Sequence, residues 1–161
     1  MTERMSLEKA APGALKAMLG LHAYLHRSGL EHALMHIIDL RASQMNGCAY
    51  CVDMHWKDAR LAGVSEQKLS MLPVWRESNL YTERERAALE WTEAVTFVAD
   101  SHVPDDVYRM AREQFSEAEL ANLTLAIGAI NSWNRLNIAF RKEAGTYDPE
   151  QLARKMASLS H

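Results

Sequence analysis

The chain contains no apolar run near the roughly 20 residues that a membrane-spanning helix needs. Its opening, Met1-Thr2-Glu3-Arg4-Met5-Ser6, starts no apolar segment of signal-peptide type. Basic residues are not in excess: 18 Lys and Arg stand against 21 Asp and Glu, for a formal net charge of −3. That leaves out the positive footprint of a nucleic-acid binder. There is no strand-like alternation of apolar and polar residues, no linker, no low-complexity tract and no strong internal repeat. Cysteine is scarce, with two in 161 residues. These absences argue against a membrane span, a nucleic-acid partner and a βαβ architecture. They place the protein in the cytoplasm, where a close cysteine pair is more often catalytic than a structural staple.

What is present is helical. With 48% hydrophobic and 24% charged residues, the chain is the size of one domain with a proper core, so residues 1–161 are read as a single all-α domain. Apolar residues at helical spacing (Leu15, Met18, Leu19, Leu21, Leu25) predict a helix over about 10–28 that stops at Ser28-Gly29. A second helix is expected from Glu31 to Met45, with Leu34, Ile37, Ile38 and Leu40 inward, and a third from Cys48 to about Leu61. Ser65 caps a short helix that Pro73 stops. Thr82-Glu83-Arg84-Glu85 and Ser116-Glu117-Ala118-Glu119 are capping boxes. The first opens a helix to about Ala99 that buries Leu89, Trp91, Val95 and Phe97 or Val98; the second opens the longest, about 117–141. Between them Pro104-Asp105-Asp106 reads as a first turn with proline at its first position. Glu83 and Arg86 are expected to pair on a solvated face. The small-residue stretch Ala126-Ile127-Gly128-Ala129-Ile130 suits close approach of another helix, and 148–158 suits a last short helix.

The chemistry concentrates at Asn46-Gly47-Cys48-Ala49-Tyr50-Cys51-Val52-Asp53-Met54-His55. Asn46-Gly47 is a turn signal. On the helix that follows, Cys48, Cys51 and His55 fall at i, i+3 and i+7 and share one face. A first-turn cysteine meets unpaired N–H groups and the positive helix end, which favour its thiolate. His55, one turn beyond Cys51, is placed to exchange a proton with it. Three readings fit: two buried cysteines with a core histidine, a zinc set of both cysteines with His55 and His36, or a dithiol redox site. Redox chemistry is favoured, because the only two cysteines stand at CxxC spacing with a histidine in phase and no second Cys or His pair completes a usual zinc site.

The run Leu40-Arg41-Ala42-Ser43-Gln44-Met45-Asn46-Gly47-Cys48-Ala49-Tyr50-Cys51-Val52-Asp53-Met54-His55 resembles the core of the AhpD-like alkylhydroperoxidases, of the carboxymuconolactone decarboxylase superfamily. Glu83-Arg84-Glu85-Arg86-Ala87-Ala88-Leu89 and Asn131-Ser132-Trp133-Asn134-Arg135 resemble it too. The resemblance implies an all-helical subunit assembled into homo-trimers or homo-hexamers. It also implies reduction of a hydroperoxide by a cysteine pair that an external dithiol regenerates. In the family the second cysteine attacks and the first, more exposed, meets the reductant. At one place the sequence departs: where the family has a glutamate twelve residues before the first cysteine, this chain has His36. A neutral histidine there does not raise the basicity of His55 as a carboxylate does, and Asp39, one turn on, is not expected to point the same way.

The mechanism expected is therefore a thiol-dependent peroxidase. Cys51 attacks, Cys48 resolves and His55 is the base; His36 stands in the relay and Tyr50 donates its hydroxyl to a peroxide oxygen. The helix dipole favours Cys48 by about 1–2 kcal/mol at most, whereas a positioned base beside Cys51 contributes roughly 100-fold or more. No organic cofactor or metal is needed. The alternatives are a general disulfide reductase or thiol carrier, and a non-enzymatic redox-sensing or zinc-binding helical oligomer. Asn131 and Asn134 read as structural hydrogen-bonders, and Trp56, Met45 and Met54 as core.

Overall fold

The computed structural model describes residues 2–150. Among them there is no strand. The helices are α1 (Leu7–Ala10), α2 (Pro12–Leu25), α3 (His32–Asn46), α4 (Ala49–Leu61), α5 (Glu66–Met71), α6 (Glu83–Thr96), α7 (Val98–Ser101), α8 (Asp105–Gln114) and α9 (Glu117–Phe140). A 3-10 helix, Leu72–Glu77, follows α5 directly.

The local signals set most boundaries. Both capping boxes form: the Thr82 hydroxyl accepts from the Glu85 N–H and the Ser116 hydroxyl from the Glu119 N–H, with each glutamate reaching back to the cap. The Ser65 hydroxyl accepts from the Lys68 N–H and caps α5. α5 ends at Met71, just before Pro73, and a 3-10 helix continues the path. Lacking an N–H, Pro73 occupies the start of the 3-10 helix, where none is needed. Pro104 likewise precedes α8 rather than opening it.

α3 is the central element and packs against α4, α6 and α9. Its adjacent apolar residues serve two clusters. Leu34 and Ile38 join Leu25, Leu30, Trp91, Phe115, Leu123 and Ile127 on the side of α6, α8 and α9. Ile37 and Leu40 join Leu69, Leu72, Trp75 and Leu89. With side chains worth about 1.5–3 kcal/mol each when fully buried, this pattern holds α3 from two sides and fixes the direction of its third face.

Several expectations fail for identifiable reasons. α2 buries only Leu25, and Leu19 is 51% exposed, because none of the described residues covers its outer stripe. α6 breaks at Phe97, whose backbone leaves the helical region, so Phe97 and Val98 turn outward. Arg86 does not pair with Glu83. It donates to the carbonyls of Trp75, Arg76 and Ser78, where carbonyls at the end of the 3-10 helix need partners. Arg84 instead joins Glu31 and Glu119 and also donates to the Gln114 carbonyl. Among the described residues, outside α9's own backbone and Gly128's chain neighbours, no atom stands within 4 Å of a Cβ added at Gly128, so none of the described helices uses that close approach. Of the expected final helix, 151–158 lies outside the described residues.

After α9 the chain folds back on α4. The Tyr147 hydroxyl donates to Asp58 (2.8 Å), Lys57 Nζ donates to the Tyr147 carbonyl (2.9 Å), and the Gly145 N–H donates to Asp53 (3.2 Å).

Candidate active site

Gly47 ends α3 in the left-handed region at φ 70°, a conformation open to glycine at little steric cost. The turn it makes delivers Cys48 as the N-cap of α4, in extended conformation. The Cys48 N–H donates to the Ser43 carbonyl (3.0 Å). Cys48 thus precedes the first turn rather than lying in it, and its sulfur turns back to Cys51. The two form a disulfide with a Cα–Cα separation of 5.4 Å. Cys48 is 1% exposed and Cys51 0%, so the first cysteine is not the exposed member that the resemblance implied; the tight turn carries it inward. From α9, Asn137 Nδ2 donates to Cys51 Sγ at 3.3 Å.

His55 lies one turn along α4 from Cys51 and is 5% exposed. Across from it α3 presents His36 and Asp39, three residues apart on one face. Asp39 does point at His55: its Oδ2 is 3.7 Å from His55 Nδ1. The rings of His36 and His55 have centroids 6.4 Å apart. One ligand-type atom from each of His36, Asp39 and His55 lies within 4.8 Å of the others. Among the described residues, neither ring nitrogen of His55 has a hydrogen-bond partner, and His36 Nδ1 and Gln44 Oε1 have none either.

Burial sets the electrostatics. It pushes the Asp39 carboxyl up to about 8, with Asp58 adding to the rise. It pushes the His55 imidazole down to about 3, with His36 and His22 adding to the fall. His36 is held down to about 4 by burial, then by His26, His32 and His22. At neutral pH the Asp39–His55 pair is therefore uncharged and carries one mobile proton, on the carboxyl. Passing it to His55 makes an ion pair without changing the net charge.

The surrounding polar groups brace the site. Asn46 Nδ2 donates to Asn131 Oδ1 (2.9 Å) and Asn134 Oδ1 (2.8 Å), and Asn134 Nδ2 donates to Ser43 Oγ (3.0 Å). Asn131 and Asn134 thus have the structural part expected of them. Tyr50 is half-buried, and burial raises its hydroxyl with help from Asp53 and Asp58. Lys142 Nζ stands 5.8 Å from its ring centre. Trp56 is 39% exposed and not a core residue. Sequence reasoning missed Asn137, although Asn131, Asn134 and Asn137 recur every three residues along α9. It set aside Asp39, whose spacing from His36 was the available signal.

A model of the carboxymuconolactone decarboxylase family matches residues 12–94. Over 146 residues the chain is 40% identical to the uncharacterized protein YdfG of Bacillus subtilis (strain 168), across 91% of this chain and 99% of that one. It is 49% identical to the solved structure of ATU0492 from Agrobacterium tumefaciens, a protein of unknown function described as a candidate antioxidant defence protein AhpD. That match has a TM-score of 0.88 and spans 91% of this chain and all of that one. The debrominase Bmp8 shares the fold at 23% identity and a TM-score of 0.73, over 84% of this chain and 73% of its own. With its CxxC pair and histidine set on this all-helical frame, the chain belongs to the carboxymuconolactone decarboxylase family, in its AhpD-like group.

Proposed function

We propose that the protein is a thiol-dependent peroxidase that reduces hydroperoxides and is regenerated by an external dithiol. The observation that carries this reading is the Cys48–Cys51 disulfide, one turn from a neutral, buried histidine with an acid behind it. In the dithiol state His55 takes the Cys51 proton. The thiolate attacks the O–O bond; the distal oxygen leaves as an alcohol or water, taking the proton back, and Cys51 becomes a sulfenic acid. The Cys48 thiol condenses with it, forming the S–S bond and releasing water. The external dithiol supplies two electrons and two protons by exchange and restores both thiols.

Asn137 supports Cys51 as the attacking sulfur, since a donor at Sγ favours the thiolate. Asp39 stands behind His55 and can exchange a proton with it. His36 lines the same face and serves the relay. Tyr50 is proposed to steady a peroxide oxygen. The protein is taken to act in the cytoplasm as a homo-trimer or homo-hexamer.

The test is steady-state peroxide consumption by the full chain with several dithiols, using hydrogen peroxide and an organic hydroperoxide. Turnover that both Cys48→Ser and Cys51→Ser abolish is expected. Consumption no faster than the dithiol alone would overturn the reading.

A further inference from the structure

The geometry points to a divalent transition-metal site formed by His36, Asp39 and His55, separate from the two sulfurs. Three features carry it. The donor set is two imidazoles and one carboxylate, which suits zinc and the first-row ions near it. The donors converge: one atom from each lies within 4.8 Å of the others, and Asp39 Oδ2 and His55 Nδ1 are already 3.7 Å apart. Around a four-coordinate ion bound at about 2.0–2.2 Å, ligand atoms stand about 3.3–3.5 Å apart. Closing the set therefore takes about an ångström of side-chain movement, and His36 is only half-buried.

The third feature is the state of the ring nitrogens. A buried polar group normally has a partner. Here both nitrogens of His55, which is 5% exposed, lack one among the described residues, and so does His36 Nδ1. A cation between the two rings takes the lone pair of one nitrogen from each, the other His55 nitrogen carrying the N–H. The sulfurs are bonded to each other, so the site is complete in the oxidised protein without a thiolate. That distinguishes it from a zinc set built on the cysteine pair. Three protein ligands leave one position open for water.

An ion held there occupies the lone pair that His55 would use as a base, so metal binding and peroxide turnover exclude one another. That consequence rests on the peroxidase reading; the site itself does not.

The test uses the full chain with its disulfide intact. Zinc is titrated by calorimetry and cobalt by visible absorption. Equimolar uptake is expected, with cobalt bands of a four-coordinate nitrogen and oxygen site and no thiolate charge-transfer band. His36→Ala should weaken binding by more than about 100-fold, beyond the loss seen when an outer-shell partner is removed. His36→Glu, which keeps a ligand, should retain binding with a shifted cobalt spectrum. The paired surface substitutions His22→Ala and His26→Ala should leave binding unchanged. Absence of uptake by the oxidised wild type overturns the site. So does uptake that survives His36→Ala undiminished, or uptake seen only after reduction with a thiolate band. Zinc that binds as described but leaves peroxide turnover untouched confirms the site and removes His55 from the peroxidase mechanism.

Discussion

Asp39 and His55 face each other across α3 and α4 at 3.7 Å, Oδ2 to Nδ1, both withdrawn from solvent. The resemblance implied a glutamate where this chain has His36; here the carboxyl one turn further along reaches His55.

This relationship sets the first expectation. Asp39→Asn keeps the shape and removes the mobile proton, so the peroxide step should slow by about tenfold or more, part of the roughly 100- to 10,000-fold that acid–base catalysis contributes. His36→Glu should keep or raise the rate and shift the pH at which the thiol ionises, and His36→Ala should lower the rate. Stopped-flow rates for the three variants decide it. If Asp39→Asn is fully active, the carboxyl takes no part in the relay.

The roles of the two sulfurs are separable with one equivalent of peroxide. Cys48→Ser should form a sulfenic acid at Cys51 that dimedone captures and mass spectrometry locates. Cys51→Ser should react far more slowly. Ready capture at Cys48 in Cys51→Ser, with Cys48→Ser inert, would reverse the assignment and make the helix dipole the stronger influence.

Asn137 gives a related expectation. A hydrogen bond to a charged group is worth about 1.5–3 kcal/mol, and about 1.4 kcal/mol is one pKa unit. In the Cys48→Ser background, Asn137→Ala should therefore raise the Cys51 thiol by about one to two units. The pH dependence of alkylation by iodoacetamide measures this. An unmoved profile means the amide does not hold the thiolate.

Stability should pass through a maximum in pH. His36 and His55 are held at about 4 and about 3, below the ordinary 6.5. Between those values and 6.5 the unfolded chain binds protons that the fold refuses, so stability falls as pH drops. Asp39 works oppositely: held at about 8 against 3.8, it keeps a proton the unfolded chain releases, so stability falls as pH rises from 3.8 to 8. From about 4 to 6.5 the two histidines outweigh the one carboxyl; from 6.5 to 8 only the carboxyl counts. The maximum therefore lies near 6.5, with limbs of about 1.4 kcal/mol per pH unit per uncompensated proton. His22 and His26, also lowered by burial, steepen the acid limb. Urea midpoints across this range should show the peak, and Asp39→Asn should lose the alkaline limb. A flat alkaline limb in the wild type counts against a protonated Asp39.

Assembly is expected as well. Leu125 and Ile138 on α9 are 42% and 45% exposed, Leu19 on α2 is 51% exposed, and Gly128 lies open between the α9 pair. Apolar surface of this kind favours association. Light scattering at micromolar concentration should give a mass above that of one chain, and a monomer would refute this.

Much of the fold was legible because its signals are local. A capping box needs only four residues, and Thr82 and Ser116 both formed theirs. The CxxC spacing and the turn at Asn46-Gly47 likewise place Cys48, Cys51 and His55 without tertiary information. What escaped depends on which face a helix finds covered. Leu19, Phe97 and Val98 look like core in one dimension and are exposed because no helix among the described residues covers them. Arg86 left Glu83 for three carbonyls made available by a 3-10 helix. Asp39 escaped because the aim of a side chain depends on how α3 and α4 pack. Asn137 stands 86 residues from Cys51, and its three-residue spacing from Asn134 marks it as one of a row of asparagines without showing what that row faces.

The return of residues 145–147 onto α4 bears on how this chemistry can be transplanted. The family match ends at residue 94, and that stretch holds both cysteines, His36, Asp39 and His55. Yet the donor to Cys51 comes from residue 137, and Gly145 and Tyr147 make three bonds to Asp53, Lys57 and Asp58 on the helix that bears Cys51 and His55. A graft of the matched stretch alone would carry every reacting group and lose the restraints on the helix that presents them. The portable unit of chemistry in this chain is longer than its portable unit of recognition, and a chimera designed on it should keep the sequence through Tyr147.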